Sequence, residues 1–153
     1  AKENGLMLKK SVSPKTIIEL YKSEYRRQHK NSPNDYTALV KCCETAMDKG
    51  MAETYIAASA GGETVSFYIV LKDKNFVYSL LGGSTDKGKD AGAFYFLTDA
   101  AISDHCAHGK TFRFEGSDGE GIAFFNRQFG AESITYQHIK QNNLPLFLKI
   151  FKK

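Results

Sequence analysis

Between Gly82 and Gly130 the sequence alternates in a way that few architectures accommodate. A polar, glycine-bearing loop, Gly82–Asp90, passes into a markedly apolar helical run over about 91–108. A short strand-like segment, Thr111–Glu115, leads through Gly116–Gly119 into a second helical run, Ile122–Phe129, that stops at Gly130. With a strand at Phe76–Leu81 ahead of it, the order is strand, loop, helix, strand, loop, helix. Parallel strands cannot be joined by a tight turn, so this order predicts a parallel pair linked by a crossover helix. Open sheets of that kind bind ligands beyond the carboxyl ends of their strands, which makes the two loops the expected site.

The residues before Phe76 read differently. Met51–Ala60 turns at Gly61-Gly62 into Thr64–Lys72, whose Val65, Phe67, Ile69 and Leu71 alternate, and Asp73-Lys74-Asn75 turns again into Phe76–Leu81, an antiparallel meander. Leu6–Lys10 reads as a short edge strand. Ser13 as N-cap and Pro14 at the first helical position start a helix that carries Ile17, Tyr21 and Tyr25 at helical spacing and fades near Lys30. A second helix runs from Asn34 or Asp35 to Gly50 and buries Leu39, Val40, Cys43 and Met47. The run over 91–108 is apolar around much of its circumference (Phe94, Phe96, Leu97, Ala100, Ala101, Ile102), as a helix buried against a sheet would be. Ser133–Lys140 and Leu146–Phe151 read as a closing strand pair. The expected fold class is α/β: a mixed sheet with an antiparallel meander plus a parallel strand pair, flanked by helices.

A chain of 153 residues suits one domain over 1–153. It has no run of 18 apolar residues and no apolar leader, and its cysteines, Cys42, Cys43 and Cys106, are odd in number, so a membrane span is not expected and a reducing, cytoplasmic location is. Charge is uneven: Lys and Arg outnumber acids eight to three over residues 1–30 and five to two over 119–153, whereas 31–118 carry twelve acids against eight bases. The cluster Lys22, Arg26, Arg27, His29, Lys30 either meets an anionic partner such as RNA or complements the dipole at a helix end. His105 and His108, three apart on a helix, can share a metal, but no second ligand pair is spaced to complete a site, and no metal is expected.

Two further stretches carry chemistry. Glu115 stands at the carboxyl end of the second parallel strand, where a carboxylate can deprotonate an attacking amine directly or through water, or can instead pair with Arg113 on the same face or cap the following helix. Ser117 is placed to cap the following helix rather than to act as a nucleophile. Phe125 and Phe129, four apart beside Ile122, are expected to face the sheet.

The element order, together with Phe125-Asn126-Arg127-Gln128-Phe129-Gly130, resembles the Gcn5-related N-acyltransferases (the GNAT fold). Phe114-Glu115-Gly116-Ser117 followed by Phe129-Gly130-Ala131 is similar to the Fem-like group of that superfamily, whose chains usually contain two such domains. The resemblance implies transfer of an acetyl or aminoacyl group to the amine of a small molecule or peptide. Its donor would be an acyl-coenzyme A such as acetyl-CoA, or an aminoacyl-tRNA, and its partner a second GNAT-like domain or a homodimer. It also implies that Lys87, Gly88, Lys89 and Gly92 hold the donor's phosphates at the loop before the buried helix, with Asn126 and Arg127 contributing from the late motif, and that Glu115 is the base. Asp90 takes the place of a glycine in the phosphate loop, and Asn126 that of a tyrosine that protonates the leaving thiolate. These two departures keep a second possibility open, a degenerate GNAT-fold domain that binds or docks without catalysis.

Overall fold

The computed structural model describes residues 5–25, 33–116, 119–135 and 137. Among them, five strands form one sheet in the order β1-β2-β3-β4-β5: β1 (Met7–Lys10), β2 (Ala52–Ala58), β3 (Thr64–Lys72), β4 (Phe76–Ser84) and β5 (Thr111–Arg113). The first four are antiparallel neighbours, and β4 and β5 are parallel, pairing Phe76 with Thr111 and Tyr78 with Arg113. The predicted meander and parallel pair are both present. The closing strand pair expected beyond Ser133 lies largely outside the described residues.

Helices cover both faces of the sheet. Helices α1 (Pro14–Tyr25) and α2 (Pro33–Asp48) pack Ile17, Ile18 and Cys43 against Ile56, Phe67 and Ile69. On the other face α4 (Ala93–Cys106) packs Ala93, Leu97 and Ala101 against Tyr55, Tyr68, Val70 and Val77. Each such fully buried aliphatic side chain contributes about 1.5–3 kcal/mol relative to exposure. Burial on both faces explains why Val65–Val70 are all buried, where the alternation of β3 led one to expect a single inward face. Val65 and Phe67 also point to opposite layers, because the register shifts there: Ser66 pairs with Ala57 and Thr64 with Ala58, leaving Val65 as the bulged residue.

Three boundaries differ from expectation. The polar loop foreseen over Gly82–Asp90 is the last turnless part of β4 followed by a short helix, α3 (Asp86–Asp90). Thr85 caps α3, its hydroxyl oxygen accepting from the Gly88 N–H at 3.2 Å. β5 ends at Arg113, so Phe114 and Glu115 lie beyond the strand. In the last helix, α5 (Glu120–Arg127), Ile122 is 51% exposed rather than turned to the sheet, while Phe125 and Phe129 do pack inward against other rings. Ser117 lies outside the described residues, and Gly119 occupies the N-cap position.

The far end of α4 is held by polar groups. Tyr55 of β2 brings its hydroxyl 2.8 Å from Glu53, 3.0 Å from Asp104 and 3.3 Å from His105 Nε2, and His105 Nε2 is 3.1 Å from Glu53. One phenol proton is thus shared between two carboxylates. Lys10 of β1 pairs with Asp104 and Lys72 of β3 with Glu53, which offsets their charge. Burial pushes the His105 imidazole below its ordinary value of 6.5, against the attraction of Glu53. Burial alone would raise Glu53, but hydrogen bonds from Lys72 and Tyr55 and the nearby positive charges hold it net below its ordinary 4.5.

Two expectations follow for stability. An Ala in place of a helical Gly normally stabilises by roughly 0.5–1 kcal/mol. At Gly121 an added Cβ meets nothing within 4 Å, so Gly121→Ala should raise the melting temperature. At Gly88 the added Cβ would lie 2.0 Å from the Val65 carbonyl oxygen, so Gly88→Ala should instead cost ~1–3 kcal/mol; a melting temperature that Gly88→Ala leaves unchanged or raises would show that α3 is not packed on β3 in this way. For pH, both depressed groups favour folding in their deprotonated forms, with full effect above their ordinary values. Thermal melts should therefore show stability lost as pH falls below 6.5 and again below 4.5, and His105→Gln should flatten the upper step while leaving the lower.

Candidate functional site

β4 is paired with β3 along its whole length, but β5 accompanies it only from Phe76 to Tyr78. Beyond that point the two parallel strands part. Among the described residues, one edge of β4 from Ser79 to Gly83 has no strand paired with it, which leaves backbone donors and acceptors without a strand partner at the opening beyond the end of β5. A bulge falls inside this stretch: Val70 pairs with Ser79 and Ile69 with Leu81, so Leu80 is the extra residue, 39% exposed. Bulges re-aim backbone and side chains and are common beside functional sites.

Two adjacent glycines let aromatic rings from both helical layers rest on the β4 backbone above the bulge. A Cβ on Gly82 would come within 2.4 Å of Phe94 from α4, and one on Gly83 within 2.5 Å of Tyr25 from α1. The Ser84 N–H, at the end of the strand, donates to the Tyr25 hydroxyl at 3.4 Å. Ser84 and Ser66 hydroxyls are linked at 2.9 Å, and Ser66 donates to the Gly83 carbonyl, so the end of β4 is fixed. Tyr25 was expected only in the apolar stripe of its helix and Leu80 only in a strand, neither as a site residue; the Gly82-Gly83 pair, read as part of a loop, is the signal that could have found the ring contacts.

The opening leads to the start of α4. Gly92, with φ of 65°, turns the chain from α3 into α4, and a Cβ there would meet nothing within 4 Å. The first-turn N–H groups of α4 have no intrahelical partner, and with the helix dipole they favour an anion. Gly88 is different: its bare side faces the Val65 carbonyl, so it serves the packing of α3. Lys87 pairs with Glu63 at 2.8 Å and Lys89 with Asp86 at 2.7 Å, both exposed. Asp90 is exposed at the end of α3, two residues before Gly92.

Rings close the α4 side of the opening. Phe94 lies edge-on to Tyr68 at 4.9 Å and stacks on Phe125 at 5.3 Å; Tyr95 touches Phe125 and Phe129; Phe129 reaches Phe114, which packs on Phe112 at 4.9 Å. Asn126, on α5 beside these rings, is buried at 6% exposure, and Arg127 is exposed in the last turn, where its charge suits the helix dipole. Glu115 is exposed just past β5. Arg113 and Glu115 form no ion pair among the described residues. Instead the Arg113 guanidinium lies over Phe76, 4.0 Å from the ring centroid.

A family model described as an acetyltransferase (GNAT) domain matches residues 15–120. A search of curated proteins by sequence finds no match. Among solved structures, the chain is similar to a possible acetyltransferase from Clostridium difficile 630, with TM-score 0.69 and 10% identity over 92% of this chain and 99% of that one. It is also similar to an aminoglycoside 6'-N-acetyltransferase from Acinetobacter baumannii, with TM-score 0.66 and 6% identity over 92% of this chain and 100% of that one. A predicted acetyltransferase from Clostridium acetobutylicum, solved with acetyl-CoA, has TM-score 0.65 and 11% identity over 90% of this chain and 96% of that one. At such identities the likeness establishes the fold.

Proposed function

The chain belongs to the GNAT acetyltransferase domain family, and from that premise we propose that it transfers an acetyl or related acyl group from a coenzyme A thioester to an amine, in the opening between β4 and β5. The observation that carries this reading is the free edge of β4, which ends beside the N-terminal turn of α4. A donor's amide-bearing arm can pair with that edge as an added strand would, and its phosphates can meet the first N–H groups of α4 at Gly92. The fit is consistent with the open space at Gly92 and with two exposed ion pairs, Lys87–Glu63 and Lys89–Asp86, that can be exchanged for a ligand at little cost.

Acetyl-CoA, when bound, supplies the reactive thioester. The chain's own contribution is position, charge and proton handling. The bulge at Leu80 frees a backbone N–H to stabilise charge on a carbonyl oxygen held there. Glu115, on the opposite side of the parting, takes the proton of the incoming amine, directly or through water. Asn126 bears an amide and cannot protonate a leaving thiolate, so that proton comes from another source. Arg127 is assigned a lesser part, as a cation on the solvent side of α5 that an anionic donor can approach.

Asp90 favours the second reading, a GNAT-fold domain that docks a partner or takes an acyl group from a donor without the pyrophosphate, such as an aminoacyl-tRNA in the Fem-like manner. A carboxylate near the start of α4 opposes phosphate by about 0.3–1 kcal/mol, so Asp90→Gly should tighten coenzyme A binding roughly two- to fivefold in a calorimetric titration. Unchanged affinity would place the phosphates elsewhere. Glu115→Gln should lower acyl transfer, followed by product mass, by ~10²–10⁴-fold with the melting temperature unaltered. Full activity in that variant would remove Glu115 from the mechanism, and transfer from an aminoacyl-tRNA but not from acetyl-CoA would favour the second reading.

A further inference from the structure

We infer that Arg113 recognises a carboxylate on the acceptor, so that the amine acylated here belongs to an amino acid or another acid-bearing amine; the inference rests on the amine acylation proposed above. Arg113 and Tyr78 are the last residues paired between β5 and β4 before the strands part. The Arg113 guanidinium lies 4.0 Å from the Phe76 ring centroid and 6.0 Å from that of Tyr78, and these two rings are 6.0 Å apart on the neighbouring strand. Tyr78 is itself fixed, its hydroxyl donating to Asp73 at 2.9 Å. Stacking orients the guanidinium, and no described residue accepts a hydrogen bond from its N–H edges.

Among the described residues the charge has no ion-pair partner. Asp73 is already taken by the Asn75 and Phe76 N–H groups and by Tyr78, which hold its carboxyl below the usual range. Glu115, past the end of β5, is near enough for its charge to act on Tyr78, as does that of Arg113, but it makes no ion pair with Arg113 among the described residues. An oriented, exposed and unpaired guanidinium is suited to bidentate capture of a carboxylate.

Its place fits the acceptor better than the donor. Leu80 lies two residues beyond Tyr78 on β4, ~7 Å along the strand, and Glu115 lies two residues beyond Arg113, past the end of β5. The edge above Leu80 accommodates the donor's arm. The α4 side is closed by Phe94 and Phe125, and the upper part of the opposite face by Tyr25 against Gly83. An acceptor therefore lies across the exposed lower face, its amine between Leu80 and Glu115 and its far end over Tyr78, within reach of Arg113.

The test is a calorimetric titration of the full chain, in the presence of coenzyme A, with a ladder of ω-amino acids from glycine to 6-aminohexanoate, each beside its carboxamide. For at least one chain length the acid should bind about 10–100-fold more tightly than the amide, the value of a charge-assisted contact. Arg113→Gln should abolish that preference at unchanged melting temperature, and Arg113→Lys should keep part of it. Equal affinity for acid and amide, a preference that survives Arg113→Gln, or no binding by any member of the ladder would overturn the inference. Turnover of the same ladder with acetyl-CoA separates the two claims. Acid preference in binding without acyl transfer supports Arg113 and counts against amine acylation, whereas transfer without acid preference counts against Arg113 alone.

Discussion

The short pairing of β5 with β4 is the constraint on which the rest depends. Three residues of contact are enough to align the strands in parallel, and the pairing stops before either strand has reached the helices that follow them. A longer β5 would satisfy the backbone of β4 and fill the opening. Because it stops at Arg113, a row of main-chain groups on β4 has no strand partner among the described residues at the carboxyl end of the parallel pair, where ligands bind in open α/β sheets.

Both helical layers hold that row in place. Gly82 and Gly83 let Phe94 and Tyr25 approach the strand from opposite sides, closer than any side chain would permit. At the far end of α4 the cluster of Glu53, Tyr55, Asp104 and His105, with Lys10 and Lys72, ties the helix to β1, β2 and β3. A helix of 14 residues spans ~21 Å, so the two ends of α4 are distinct sites joined by a rigid body. The network is half-buried, with the Tyr55 hydroxyl and His105 at its inner end, so a member left there without its partner costs more than one in an exposed pair. The first turn of α4 is thereby presented to the opening in a fixed position.

Charge around the opening is arranged in two ways. Lys87 and Lys89 are tied to Glu63 and Asp86 by exposed contacts that a ligand can displace. Arg113 is instead held by aromatic rings, which fix it without neutralising it. Asp90 and Asn126 set the chain apart from the motifs its sequence resembles, and in the function proposed both bear on the donor side rather than on the acceptor face.

The sequence by itself determined the order and type of the elements. The meander, the parallel pair, the two preceding helices and the apolar α4 were all legible, because hydrophobic period and turn residues are local signals. It also drew attention to Glu115 and to the Gly92 turn. The tertiary structure alone decided how these parts meet. That β4 continues through Gly82 and Gly83 depends on rings supplied by α1 and α4, and the bulges at Val65 and Leu80 depend on register with a neighbouring strand. His105, which spacing offered as a metal ligand, lies instead against Tyr55 and Glu53, some fifty residues away in the chain. The sequence offered Glu115 as one possible partner of Arg113, whereas the guanidinium lies over Phe76, since strand pairing puts the ring under it and no local pattern records which residue a neighbouring strand will bring.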